Sequence, residues 1–252
     1  MLLEAKNAVI YGAGGAVGGA VARAFGREGA KVFLAGRTAA KLDAVAAGIR
    51  SDGGLAETAE VDALDEAAVD KHADAVAAAA GSIDISVNLI GHPYTHGIPM
   101  AEMTVEDFIA PVLTAVRTTF LTARAAARHM IRQGSGVILA FGGYGPPPRD
   151  YYIGGTQVAF QAVEAMRRQL ASELGPHGVR VVTLQTGGIA ETIPEDVPGR
   201  AEIVDGIDRQ AMLGQAATLA DVGNVAAFAA SGWARSMTAT ALNISCGAIV
   251  DD

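Results

Sequence analysis

The segment Tyr11-Gly12-Ala13-Gly14-Gly15-Ala16-Val17-Gly18 places four glycines between an apolar run and an alanine-rich one. Glycines at such a junction let the chain turn tightly and bring backbone N–H groups close to a pyrophosphate at a helix N-terminus. The position is more informative than the composition, because the turn sits at the first strand-to-helix junction and opens a βαβ unit of ordinary length. Gly12, Gly14, Gly15, Val17 and Gly18 are therefore candidate dinucleotide-binding residues. After the second apolar run comes Leu34-Ala35-Gly36-Arg37-Thr38, where an acidic side chain would bind a ribose 2′-hydroxyl. Gly36 leaves space and Arg37 can pair with a 2′-phosphate, with Thr38 beside it, so the charge logic points to NADP(H) rather than NAD(H). The other reading of Arg37 is a surface side chain at the start of a helix.

Residues able to move a proton cluster in two loops. His92 and His96 follow Gly91, and Tyr144, Tyr151 and Tyr152 flank a run of three prolines, Pro146 to Pro148. Tyr152 and Thr156 have the four-residue spacing that puts two side chains on one helix face, which makes them the candidate catalytic pair. Either histidine titrates near neutral pH without help from a lysine. Arg149 and Asp150 can pair with each other or contact a substrate, and every one of these side chains also has a packing or rim explanation. His92 and His96 have i, i+4 spacing, but Pro93 and Gly97 oppose a helix there and no third ligand is evident, so no metal site is expected.

The elements that must position these groups alternate along the chain. Strands are predicted at Asn7 to Tyr11, Lys31 to Ala35, Ala56 to Val61, Ile83 to Leu89, Gly136 to Phe141, Val179 to Gln185 and Ala241 to Ile244. Helices are predicted between them. In the first, Val17, Val21 and Phe25 recur every four residues, while Gly18, Gly19 and Ala22 form a small face for close approach to the sheet. Long helices are predicted over Val105 to Arg132 and Thr156 to Leu174, the second with Val158, Val163, Met166 and Leu170 inward and Arg167 and Arg168 in solvent. Gly142 to Ile153 and Ile193 to Gln215 read as irregular, at the sheet edge where such folds bind ligands. The pattern is that of an α/β fold: a doubly wound, Rossmann-type parallel sheet of about seven strands with helices on both faces, in one domain over 1–252.

Composition narrows the partners. The net charge of -8 and the acidic cluster Asp62, Asp65, Glu66 and Asp70 offer no basic face for nucleic acid. No apolar run reaches membrane-spanning length, and the N-terminus reads as a strand rather than a signal peptide. A single cysteine, Cys246, excludes an internal disulfide and fits a cytoplasmic location. A small-molecule substrate and further copies of the chain remain.

Over nearly its whole length the sequence resembles the short-chain dehydrogenase/reductase family. The family's Thr-Gly-x-x-x-Gly-x-Gly marker appears with Gly12 and Gly18 retained and Ala16 in the middle position. Val61-Asp62 matches the pair that contacts adenine in the family, and Asn88-Leu89-Ile90-Gly91 keeps the outer residues of Asn-Asn-Ala-Gly. The run Glu173 to Val181 is very similar to the family segment before strand six, Gly187 matches the glycine of its Pro-Gly motif, and Asp221-Val222 and Asn243 to Gly247 resemble its last helix and strand. The resemblance implies cofactor contacts at Asp62, Asn88, Gly91 and Gly187, and a dimer or tetramer formed through the two long helices. It also implies a tyrosine acid with a lysine, a serine and an asparagine, but those positions fall on Thr156, Phe160, Gly143 and Ala115. No shift of register restores the lysine, since the four lysines are Lys6, Lys31, Lys41 and Lys71. Three functions stay open: an NADP(H)-dependent oxidoreductase acting on a carbonyl or hydroxyl group with a nonstandard proton carrier, a noncatalytic NADP(H)-binding sensor or silent subunit, and the fold reused for a lyase or isomerase. The acidic stretch Glu191 to Asp208 is expected to cover the substrate and to disfavour anions.

Overall fold

The computed structural model describes residues 1–93, 95–143 and 152–250. Seven strands form one parallel sheet in the order β3-β2-β1-β4-β5-β6-β7. They are β1 (Asn7–Tyr11), β2 (Lys31–Gly36), β3 (Leu55–Glu60), β4 (Ile85–Asn88), β5 (Gly136–Gly142), β6 (Val179–Thr186) and β7 (Thr240–Ile244). Between them run α1 (Ala16–Arg27), α2 (Ala39–Ser51), α3 (Glu66–Ala80), α4 (Val105–Gln133), α5 (Gly155–Leu174), α6 (Arg200–Gln210) and α7 (Leu219–Ala230). The strand order reverses between β1 and β4, and there the carboxyl ends of adjacent strands diverge to leave a crevice.

The alternation of side chains along each strand divides the core into two layers. Ala8, Ile10, Val32 and Leu34 pack with Val21 and Phe25 of α1, Leu42 and Ile49 of α2, and Val222 of α7. Their neighbours Val9, Tyr11, Phe33 and Ala35 point the other way, toward Val69 and Val76 of α3, Leu121 and Met130 of α4, and Leu174 of α5. Burying a side chain such as Phe25 contributes about 1.5–3 kcal/mol, so the two layers clamp the sheet from both faces. The small face of α1 works at short range: a Cβ on Gly18 would overlap the carbonyl oxygen of Gly12, and one on Gly223 of α7 would stand 2.9 Å from the Cβ of Ala24. Among the described residues, no helix is long and apolar enough to cross a membrane.

Two expectations about helices are corrected. Helix α5 buries Thr156, Ala159, Val163, Glu164, Arg167, Ala171 and Leu174, while Val158 is exposed. The inward face combines the small Thr156, Ala159 and Ala171 with Val163, Leu174 and the pair Glu164 and Arg167. Arg167 does not reach solvent; its Nη2 donates to Glu164 Oε2 at 2.7 Å one turn back, and both side chains are under 5 % exposed. The stretch Ile193 to Gln215 is not irregular throughout, since α6 lies within it. That helix buries none of its residues, and in its acidic, Gly206-interrupted sequence the short stripe Ile203, Val204 and Ile207 is a weak helix signal.

Candidate functional site

Two cavities open at the carboxyl ends of the strands. The smaller, about 640 Å³, is lined by Gly12, Gly14, Gly36, Arg37, Thr38, Lys41 and Asp62 among others. The larger, about 1010 Å³, is lined by Val17, Gly18, Asn88, Thr156, Phe160 and Gly187 among others. Gly15, Leu89, Ile90, Gly91, His92 and Thr118 line both. All eleven expected cofactor-binding residues thus lie on one continuous crevice.

The glycine turn is shaped by close backbone approach. Gly12 has φ +83°, in the left-handed region that favours glycine, and a Cβ there would overlap the carbonyl of Leu89. Gly15 caps α1 without a side-chain hydrogen bond, so the first amides of a twelve-residue helix face the crevice with the positive end of the helix dipole. Asn88 is fully engaged on its amide: Nδ2 donates to Thr118 Oγ1 and Thr119 Oγ1 at 3.1 Å each, and Oδ1 accepts from the Ile90 amide at 3.0 Å. It ties β4 to α4 and fixes the strand end from which Gly91 and His92 emerge. The ring of Tyr11 is buried against α3, its hydroxyl 3.4 Å from His72 Nδ1, and it lines neither cavity. Burial, and to a lesser degree Asp70, pushes that phenol well above its ordinary value, so it stays protonated.

Sequence reasoning missed Lys41. It stands one helical turn after Arg37 and lines the same cavity, so the crevice gathers two cations in a chain of net charge -8. The i, i+4 spacing from Arg37 into a helix start was the available signal.

The larger cavity collects Thr156, Phe160, Gly143 and Ala115 on its wall. These are the four positions that the resemblance assigned to the family's tyrosine, lysine, serine and asparagine. Phe160 packs edge-on against His92, ring centroids 5.6 Å apart. A Cβ on Gly143 would stand 2.8 Å from the Thr186 carbonyl oxygen and 3.8 Å from the Phe160 ring. The hydroxyl of Thr156 is buried without a hydrogen-bond partner among the described residues. Tyr152 is not brought to this wall. It precedes the start of α5 at Gly155, is 46 % exposed and does not line the cavity, so the shared helix face expected for Tyr152 and Thr156 does not form. Gly154, with φ +48° and ψ −125°, turns the chain between them. Tyr144, Arg149, Asp150 and Tyr151 lie outside the described residues.

His92 and His96 both line the larger cavity. Burial lowers the pKa of each from the ordinary 6.5, opposed at His92 by a hydrogen bond with the Pro93 backbone and reinforced at His96 by the nearby charge of His92. Both rings are therefore neutral at pH 7. From the stretch expected to cover the substrate, Thr192 lines the cavity and Glu191, Glu195, Asp196, Glu202 and Asp205 do not; Gln210, just beyond that stretch, lines it too.

Known proteins share this architecture. A crystal structure of a short-chain type dehydrogenase/reductase from Mycobacterium marinum superposes with a TM-score of 0.87 at 28% identity, covering 99% of this chain and 97% of that one. Residues 12–248 match the family model described as enoyl-(acyl carrier protein) reductase. The chain belongs to the short-chain dehydrogenase/reductase family. Among its relatives in that family, a gluconate 5-dehydrogenase of Gluconobacter oxydans is 28% identical over 229 residues, spanning 91% of this chain and 89% of the relative. A D-threitol dehydrogenase of Mycolicibacterium smegmatis is 31% identical over 183 residues, 72% of this chain and 69% of the relative. This short-chain dehydrogenase/reductase is accordingly an oxidoreductase.

Proposed function

We propose that the chain is an NADP(H)-dependent oxidoreductase of a carbonyl or hydroxyl substrate, in which His92 carries the proton that a tyrosine carries in the family. The observation behind this reading is that His92 is the one titratable side chain, among the described residues, that lines both cavities. The crevice fits a dinucleotide phosphate. The α1 amides suit the pyrophosphate, Arg37, Thr38 and Lys41 suit a 2′-phosphate, and Asp62 suits the adenine amine. The nicotinamide, when bound, supplies or accepts the hydride.

The residues of the chain manage the proton. With its pKa lowered by burial, His92 is a neutral imidazole at pH 7, able to take the proton of a substrate hydroxyl as hydride leaves the carbon. In reduction the imidazolium returns that proton to the new alkoxide oxygen. Phe160, packed edge-on, holds the ring at the cavity wall. Thr156 offers a hydroxyl with no hydrogen bond to lose on turning toward a substrate oxygen. Threonine in a helix divides between two χ1 rotamers, so this rotation is accessible. In this role Thr156 orients the substrate oxygen, and Tyr152 has no part.

The pH profile tests the reading. Alcohol oxidation is expected to fall as pH drops through a pKa below 6.5, while ketone reduction rises over the same range. His92→Ala should flatten both profiles and cut turnover by about 10²–10⁴-fold, the ordinary share of a general acid–base. An unchanged profile in His92→Ala would remove His92 from the chemistry.

A further inference from the structure

The larger cavity has no charged wall among the described residues. Among the described residues its lining includes no aspartate, glutamate, lysine or arginine, and its two histidines are held neutral by burial at pH 7. Its broad surfaces are apolar: Phe141, Ile153, Phe160, Val163, Ile189 and Ile249.

Several of its polar groups are already committed within the fold. Asn88 is spent on Thr118, Thr119 and the Ile90 amide. The hydroxyl of Thr192 donates to the Ile189 carbonyl at 2.7 Å. Among the described residues, the buried hydroxyl of Thr156 has no hydrogen-bond partner. A buried hydroxyl gains a full hydrogen bond when a ligand oxygen reaches it, because nothing has to be broken first.

From this lining we infer that the substrate is an uncharged molecule with an apolar body and a single reacting oxygen, a hydrophobic ketone or secondary alcohol. An acid or a polyol does not fit it. The inference rests on reading the larger cavity as the substrate site. A carboxylate would enter without a countercharge, at the desolvation cost of an unpaired ion. A polyol would set several of its hydroxyls against Phe160 and the isoleucines, without partners there. Both disadvantages separate this chain from relatives named for gluconate and D-threitol, molecules with a carboxylate or several hydroxyls. Specificity of this kind lies in what a wall lacks: an apolar surface discriminates against an added hydroxyl by about 10²-fold at most, and an unpaired charge is disfavoured more strongly.

Binding of three ring ketones tests it: para-methylcyclohexanone, the para-carboxylate of the same ketone, and inosose, the polyhydroxylated six-carbon ring ketone. Each is titrated calorimetrically into the whole protein, with and without saturating NADP+. The methyl ketone is expected to bind at least about tenfold more tightly than the other two. Gln210→Arg, a change at an exposed position on the cavity rim, should tighten the carboxylate selectively by placing a cation beside it. Equal or tighter binding of the carboxylate or inosose by the unaltered protein overturns the inference, and so does failure of all three to bind. The nucleotide arm is separate: affinities indifferent to NADP+ count against the cofactor reading, whatever the order of the three ketones.

Discussion

The buried pair Glu164–Arg167 should be worth keeping whole yet worth little as a pair. Its members are 1 % and 4 % exposed, and they meet one turn apart on α5. Among the described residues, Glu164 Oε1 and Arg167 Nη1 have no hydrogen-bond partner, so each ion is incompletely compensated for leaving water. Removing one partner leaves an isolated buried charge, at about 3–5 kcal/mol. At roughly 2–4 °C per kcal/mol for a chain of this size, Arg167→Met should lower Tm by about 6–20 °C. The double change Glu164→Leu with Arg167→Met removes both desolvation costs, supplies two good helix formers and should be neutral or stabilising by about 1–4 kcal/mol. Urea unfolding of the parent, both single variants and the double variant gives the cycle directly. A single variant that loses less than about 1 kcal/mol, or a double variant as weak as the single ones, would refute the argument that these groups are buried and incompletely paired.

Two further outcomes follow from the geometry. Burial lowers the pKa of His72 to about 4, so the unfolded chain binds more protons than the folded one between that value and 6.5. This contribution is complete above pH 6.5 and is lost as pH falls, the loss reaching about 2 kcal/mol at pH 5; unfolding free energies from urea titrations at pH 7.5 and pH 5 should differ by that much more in the parent than in His72→Leu. Gly18→Ala would drive a Cβ into the backbone of Gly12, whereas Gly48 in α2 has open space around it. The first change should lower both Tm and nucleotide affinity, the latter at least about tenfold. Gly48→Ala should instead stabilise by about 0.4–1 kcal/mol, and thermal melts with nucleotide titrations of the two variants measure the contrast.

Strands and cofactor turn were legible in the sequence because local chemistry determines both. Runs such as Asn7 to Tyr11 and Val179 to Gln185 carry apolar residues on both faces, as strands covered by helices do, and the structure has strands there. Gly12 and Gly18 are needed by contacts within a few residues and one neighbouring strand. The proton-transfer wall was less legible because distant contacts build it. The rotation of α5 about its axis depends on which residues fit against the sheet and α4, and this put Ala159 and Arg167 inside and Val158 outside. Tyr152 looked like a helix partner of Thr156 by spacing alone, but Gly154 and Gly155 start the helix after it. A Cβ on Gly155 would overlap the Phe108 carbonyl of α4, a close approach that spacing along the chain does not reveal. The place of His92 between the two cavities likewise depends on β4 ending where Asn88 is tied to α4.

The most direct test of the account is a titration of the cofactor-stripped protein with NADPH and NADH, repeated on Arg37→Ala. A charge-assisted contact to the 2′-phosphate is worth about 1.5–3 kcal/mol, so NADPH should bind at least about tenfold more tightly than NADH, and Arg37→Ala should erase most of that difference. Binding of neither nucleotide, or a preference for NADH that ignores Arg37, would contradict it.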